Sequence, residues 1–432
     1  MPMHTLKFLC LDSPWPPHSG GQKRAMGLLT ELARAYAIEL GILARRPLDE
    51  SQSSVLSRYA CSIWQVTRRD QSLRDRLAIA VRASIRRVPY HMAMVDYSFE
   101  RAPSHARKRP QPEDCVYATR LHWMSALRST PGYRWILDQA DADVHLWHVY
   151  ARQASDPLLR LAAVLNGWLT YGVCREVYPR TGRIVSVCEE DRALTLSISA
   201  TSRVDVIANG VDCDDFRPAR VPTSEPTLLF TGTSAPRNLR ALRFFVLEVL
   251  PRIRHERPDV RLVVAGNFSP HAQAMFDGLA DVDFTGPLPD LRPLYNRSAV
   301  FVNPFCEAHG SKVKVSEALA MAIPIVSLPG GVRGLPVVDG ESVLLASDAS
   351  HMAGQVLRLL SDPELATKVG NSGRQVALAH LDWKRVLGPR LRRIVDEVMT
   401  QVPGERESTP LRTLGPQRAG PAASSRGLAR TH

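Results

Sequence analysis

Apolar residues alternate along this chain between short continuous runs and helical spacing. Leu6–Leu11 is an apolar run that ends in the loop SPWPPHSGG. Residues 22–35 follow with apolar positions at Met26, Leu29, Leu32 and Ala33, a helical period, and Ile38–Leu43 forms a second run. Run, glycine-rich loop, helix, run predicts the opening of an α/β unit on a parallel sheet. Residues 136–210 read as mostly helical and close in a strand at Arg203–Ile207. The alternation returns from Thr227, with strands predicted at Leu228–Thr231, Val260–Ala265, Val282–Phe284, Ala299–Val302 and Ile325–Leu328. Helical patterns at Asn238–Glu248 and Val315–Ala322 lie between them. Two such halves in 432 residues predict two doubly wound α/β domains facing a cleft. The boundary is expected at the polar, proline-rich segment Pro218–Pro226, giving units at 1–217 and 218–400. Residues 401–432, rich in Pro, Gly, Ser, Thr and Arg, are expected to be a disordered tail.

Charge sharpens one region. The chain carries a formal +12. Residues 66–110 hold eleven Lys and Arg against four Asp and Glu. Within them Leu73, Leu77, Val81 and Ile85 recur every fourth position, with Arg74, Arg82 and Arg86 between. This predicts a basic amphipathic helix over 72–87, either packed on its own domain or resting on a membrane surface. The seven cysteines form no C-x-x-C pair, which gives no zinc-ribbon pattern. The amino-terminal residues show no signal-peptide core and no run is long enough to span a bilayer. The expected location is therefore the cytoplasm, at or near the inner face of the membrane. Nucleic acid is not an expected partner, because basic and aromatic residues do not interleave.

In doubly wound folds ligands bind at the carboxyl ends of strands. The segment HGSKVKVSEALAMAIPIVSLPGG, residues 309–331, turns at Gly310–Ser311 into a helix. The free N–H groups of a helix start attract anions, Lys312 and Lys314 add cations, and Glu317 sits one turn inside. A phosphate cradle beside a carboxylate able to hold two ribose hydroxyls suggests a nucleotide. On the residues alone, a plain helix start with solvated lysines is the alternative.

The same segment resembles the donor-site signature of family 4 glycosyltransferases of the GT-B fold. VIANGVD at 206–212, with Phe216 and Pro218, is similar to the stretch that precedes the second domain in that family. LLFTGTSAPRNLRALRFFVLEVLP resembles the start of its donor domain, and PWPPHSGGQKR its first glycine-rich loop. ILDQADADVHLWHVYARQ is similar to a segment of a subgroup linked to exopolysaccharide synthesis.

The resemblance implies transfer of a sugar from a nucleoside diphosphate sugar to a lipid-linked or polysaccharide acceptor, with retention of configuration. It implies that Glu317 binds the ribose, and that Lys314 and Arg237 neutralise the departing diphosphate in place of a metal, so no metal or other cofactor is expected. His309, Gly310, Ser311 and Lys312 would complete the donor site, and Gly20 and Gly21 would approach from the first domain. Asp141 would orient the reacting sugar, unless it caps a helix. His309 stands where relatives often carry an acid, Gly172 lies where a Tyr-Glu-Arg triplet is common, and Val144 replaces a serine of the subgroup. A protein of the same fold that binds a nucleotide sugar or a partner enzyme without turnover is a second reading, and a nucleotide-sugar epimerase a third.

Overall fold

The computed structural model describes residues 4–400, apart from 70–71, 104–109, 112–113, 124–133, 140–142, 155, 220–225, 279–281 and 307–311. Two parallel sheets organise it. The first runs β3-β2-β1-β4-β5-β6-β7, from β1 (Thr5–Leu11), β2 (Ala37–Ala44), β3 (Ser62–Thr67), β4 (Cys115–Thr119), β5 (Arg134–Gln139), β6 (Arg183–Ser186) and β7 (Val204–Val206). The second runs β10-β9-β8-β11-β12-β13, from β8 (Thr227–Thr231), β9 (Arg261–Ala265), β10 (Val282–Gly286), β11 (Val300–Asn303), β12 (Ile325–Ser327) and β13 (Leu344–Leu345). This is the expected α/β architecture of two doubly wound units. The region read as mostly helical over 136–210 holds most of β5 and all of β6 besides its helices.

In each sheet the strand order reverses at one place, between β1 and β4 in the first and between β8 and β11 in the second. Neighbouring loops diverge at such a reversal and leave a crevice at the carboxyl ends of the strands. Side chains alternate across both sheets. On one face of the first, Leu6 and Phe8 of β1 pack with Leu28, Leu29 and Leu32 of helix α1 (Gly20–Leu32). The other face, with Leu9 of β1, is covered by α2 (Leu73–Arg86), α3 (Tyr90–Arg101) and the carboxyl-terminal end of α5 (Pro157–Val177); α4 (Asp143–Gln153) packs beside α5.

The chain returns at its end. Trp383, Leu387 and, from the last helix, Leu391, Ile394, Val395 and Val398 share the core of β1, β2 and α1. Residues expected with the second unit thus pack on the first sheet. Gly27 of α1 permits this, since a Cβ there would lie 2.6 Å from the Trp383 indole. A buried ion pair fixes the same seam. Arg24, only 2 % exposed, donates through Nε and Nη2 to both carboxylate oxygens of Asp138 at 2.9 and 2.6 Å. Its Nη1 donates to the carbonyls of Ile207 and Ala208, where the chain leaves the first sheet. A fork of five donors in fixed geometry suits this double task. The expected boundary at 218–226 lies mostly, and the tail at 401–432 wholly, outside the described residues.

Candidate functional site

The site forms where α1 of the first unit meets α7 (Val313–Ala320) of the second; α6 (Pro236–Phe244) follows β8 and lies beside it. Helix α7 follows β11 and therefore starts at the second sheet's reversal point. Ser316 holds it to the segment between the units, its Oγ donating to the Asn209 carbonyl at 2.8 Å.

Glu317 is 3 % exposed. Its carboxylate is paired with the ammonium of Lys23, from the first turn of α1, and accepts a hydrogen bond from the Tyr295 hydroxyl at 3.2 Å. The carboxylate expected to hold ribose thus already has two partners in this protein, one from each unit. Neither Lys23 nor Tyr295 was among the expected site residues. Lys23 lies three positions after Gly20, on the helix that the glycine-rich loop opens, and that placement was the available signal. Tyr295 lies in no motif.

Lys314 is not a solvated lysine. Its ammonium donates to the Thr231 carbonyl, at the end of β8, at 2.6 Å. It sits 4.3 Å from the centroid of the Phe305 ring and 5.3 Å from that of Phe230. Desolvation, followed by the positive charges of Arg237, Lys23 and Lys312, pushes its pKa well below the ordinary lysine value, opposed by Glu317. Lys314 thus shares its buried surroundings with three other cations and one carboxylate. Lys312 stands at the amino-terminal cap of α7 and donates to the Gly330 carbonyl at 2.9 Å. Arg237 is the second residue of α6.

Asn238 is buried and donates to the Thr233 carbonyl and hydroxyl, both at 3.1 Å, so it shapes the loop after β8. Gly266, at φ +124, lets the loop after β9 close on that loop, since a Cβ there would lie 2.0 Å from the Gly232 oxygen. Gly331 packs against Asn303 and Ser327, where a Cβ would have no room. Gly20 and Gly21 open α1, whose Ser19 cap accepts the Gln22 amide. The structure therefore brings Lys312, Lys314, Glu317 and Arg237 together near the start of α1. The remaining expected residues, Asp141, His309, Gly310 and Ser311, lie outside the described residues.

A second crevice opens at the first sheet's reversal point. It encloses about 850 Å³ and is walled by residues that follow β1, β2 and β4, together with the start of α1.

Residues 225–362 match the family described as Glycosyl transferases group 1. The chain is 27 % identical over 257 residues to a GDP-mannose-dependent alpha-(1-6)-phosphatidylinositol monomannoside mannosyltransferase of Mycolicibacterium smegmatis, covering 52 % of this chain and 66 % of that one. It is 28 % identical over 230 residues to a GDP-mannose:cellobiosyl-diphosphopolyprenol alpha-mannosyltransferase of Xanthomonas oryzae pv. oryzae, covering 50 % and 57 %. Sucrose-phosphate synthase of Thermosynechococcus elongatus superposes with a TM-score of 0.68 at 17 % identity, covering 91 % of this chain and 99 % of that one, a likeness of fold. The matches span 41 % to 66 % of the length of the first curated relatives. With two facing parallel sheets, a returning carboxyl-terminal helix and the match across the second sheet, the chain has the GT-B fold and is similar in sequence to the group 1, or family 4, glycosyltransferases.

Proposed function

We propose that this protein is a nucleotide-sugar-dependent glycosyltransferase that moves a sugar to a hydroxyl of a lipid-linked or polysaccharide acceptor, with retention of configuration. The observation that carries this reading is α7, which presents Lys314 and Glu317 one turn apart at the second sheet's reversal point, against the first turn of α1. Glu317 would accept hydrogen bonds from the ribose hydroxyls, which would take over from Lys23. Lys314, Arg237 and Lys312 would offset the charge that builds on the diphosphate as the glycosidic bond breaks. Fixed cations in a water-poor cleft need no reorganisation at that moment, and this is how they lower the barrier. Charge stabilisation of this kind performs the task a metal ion performs elsewhere. The two curated relatives are named for GDP-mannose and for lipid-borne acceptors, which supports the donor class and the acceptor class together.

Contact with a membrane surface fits the same reading. On α2, Leu73, Leu77, Val81 and Ile85 are 58–76 % exposed, and only Ile79 and Ala83 are buried. On α5, Leu158, Leu161, Leu165 and Trp168 are 53–76 % exposed. Among the described residues no helix is long and apolar enough to cross a membrane. Arg82 and Arg86 are engaged by Glu100 and Asp96 of α3, so lipid contact through 72–87 would rest more on its apolar stripe than on its charge.

The test is thermal stability against a panel of nucleoside diphosphates and their sugars, with wild type beside Glu317→Ala. A ligand that binds only the folded state stabilises by about 2.7 kcal/mol at a hundredfold excess over its dissociation constant. Stabilisation by one base, lost in the variant and accompanied by slow donor hydrolysis, is the expected result. Binding without release of sugar would favour the non-catalytic reading, which the departures at His309 and Gly172 suggest. No stabilisation by any nucleotide would overturn the donor site.

A further inference from the structure

From the crevice at the first sheet's reversal point we infer an anion site that receives a phosphate or diphosphate group carried by the acceptor. The word acceptor rests on the transferase reading above; the anion site itself does not.

Besides Arg24, three arginines line this crevice, Arg45 and Arg46 after β2 and Arg120 after β4. Among the described residues none of the three is ion-paired. Arg24 shares the wall but is bonded to Asp138, and the carboxylate of Asp49 accepts the Gln52 amide at 2.7 Å. Asp12 is the one remaining carboxylate of the wall. The start of α1 opens into the same space, with Ser19 and Gly21 in the wall and no acidic residue in the helix's first turn. Its aligned peptide dipoles favour negative charge there.

Two further observations concern the wall of this crevice. The first is backbone conformation. Asp12 and Arg120, at φ 60 and 104, are two of four non-glycine residues with positive φ among those described. Both directly follow the strands that flank the reversal point. Such conformations cost of order 1–3 kcal/mol each and persist where neighbours impose them. Here the Arg120 amide is tied to the Asp138 carbonyl at 2.9 Å, and that of Asp12 to the Leu43 carbonyl at 3.0 Å. The turn at Arg120 brings its guanidinium to 3.2 Å from where a Cβ of Gly21 would sit, so it lies directly against the start of α1.

The second is His122. Its imidazole is in the wall, its Nδ1 is buried, and it meets no hydrogen-bond partner among the described residues. Burial, helped by His91, Arg120 and Arg68, keeps the ring neutral. A neutral ring can accept from, or donate to, a sugar hydroxyl, while Asp12 can accept from another.

Planar guanidinium forks bind carboxylate and phosphate oxygens two at a time, and three of them together suit a group with more oxygens and more than one negative charge, as a phosphate or diphosphate has. The crevice is large enough to hold a sugar beside that group. Phosphorylated soluble sugars and diphosphate-linked lipid carriers share this chemistry.

The test titrates the full chain with inorganic pyrophosphate under saturating nucleoside diphosphate, which occupies the donor side. Wild type is compared with Arg120→Gln and with Arg45→Gln/Arg46→Gln, the latter at exposed positions that leave the fold intact. Each variant is expected to weaken pyrophosphate binding by about tenfold or more while nucleotide binding stays within about twofold. Wild-type affinity in the double variant, or arginine-dependent binding of glucuronate with none of pyrophosphate, would overturn the proposal. Repeating the titration with geranyl diphosphate and with glucose 1-phosphate separates the sources: preference for the first supports a lipid carrier, and for the second a soluble acceptor. If no nucleotide binds but the arginines still govern pyrophosphate, the donor reading fails and this site stands.

Discussion

Replacing Lys314 by methionine should leave the unliganded protein as stable as before, or more so, while weakening donor binding. In the wild type the ammonium gains a charged hydrogen bond to Thr231 and two aromatic faces. The bond is worth about 1.5–3 kcal/mol and the ring contacts about 0.5–2 kcal/mol. Against these stands the cost of holding an ammonium out of water, several kcal/mol per ion, and repulsion from Arg237, Lys23 and Lys312. Methionine fills similar volume and makes favourable sulfur contacts with Phe230 and Phe305. The balance lies between no change and a gain of about 2 kcal/mol, or roughly 2–4 °C of Tm per kcal/mol for domains of this size.

Nucleoside diphosphate affinity should fall by about ten- to 150-fold, the loss of one charge-assisted contact. The pH dependence has a definite sign. The folded state holds the pKa of Lys314 below its unfolded value, so between the two the unfolded chain binds the extra proton and stability rises with pH. That rise should shrink in Lys314→Met, and wild-type nucleotide affinity should fall over the same window as the cation is lost. Differential scanning calorimetry and nucleotide titration from neutral to alkaline pH would measure both. A variant destabilised by more than about 2 kcal/mol with unchanged nucleotide affinity would make Lys314 a structural residue with no part in donor binding.

Lys23→Met should destabilise by about 1–3 kcal/mol, because Glu317 keeps only Tyr295, and a double-mutant cycle with Glu317→Gln in urea should show coupling of about 0.5–3 kcal/mol; additivity would show the pair to be idle. Asp138→Ala strands a buried guanidinium and should cost about 3–5 kcal/mol, read from the urea midpoint, and a loss under 1 kcal/mol would mean that the carbonyls of Ile207 and Ala208 suffice for Arg24. Trp383→Ala should cost about 3–5 kcal/mol and expose the first sheet's core to proteolysis; an unchanged proteolytic pattern would mean that the returning helix docks without it.

Strands with largely apolar runs, such as Leu6–Leu11, interrupted only by Lys7, and Leu228–Phe230, were legible because a strand buried on both faces carries few polar residues. β6 has only four residues and β5 runs into a helical stretch, so a helical period spread across both. Helix α7 was legible because Val315, Ala318, Leu319 and Ala322 keep an apolar helical period after the Gly310–Ser311 pair in the sequence. Its partners were not, because Lys23 and Tyr295 reach Glu317 through the docking of separate elements, which no local period encodes. Arg24 makes the point most sharply: between Lys23 and Ala25 it reads as a surface residue, yet it is 2 % exposed, and only the position of Asp138 explains why.

The electrostatics of the cleft follow from the same docking. Each sheet, taken alone, offers an electropositive crevice at its own reversal point: Lys312, Lys314 and Arg237 on one side, Arg45, Arg46 and Arg120 on the other. Joining the units adds Lys23 to the first group and sets Glu317 against it. A fold selected for stability alone would not bury Lys314 among Arg237, Lys23 and Lys312, nor leave Arg45, Arg46 and Arg120 without an ion pair among the described residues beside a helix start. Both arrangements cost stability in the absence of anions and recover it when anions bind, so each should tighten and stabilise the protein with its own phosphate-bearing ligand. If one crevice responded to both ligands and the other to neither, the two-site description would fail, and the pair of reversal points would be a property of the fold rather than of the chemistry.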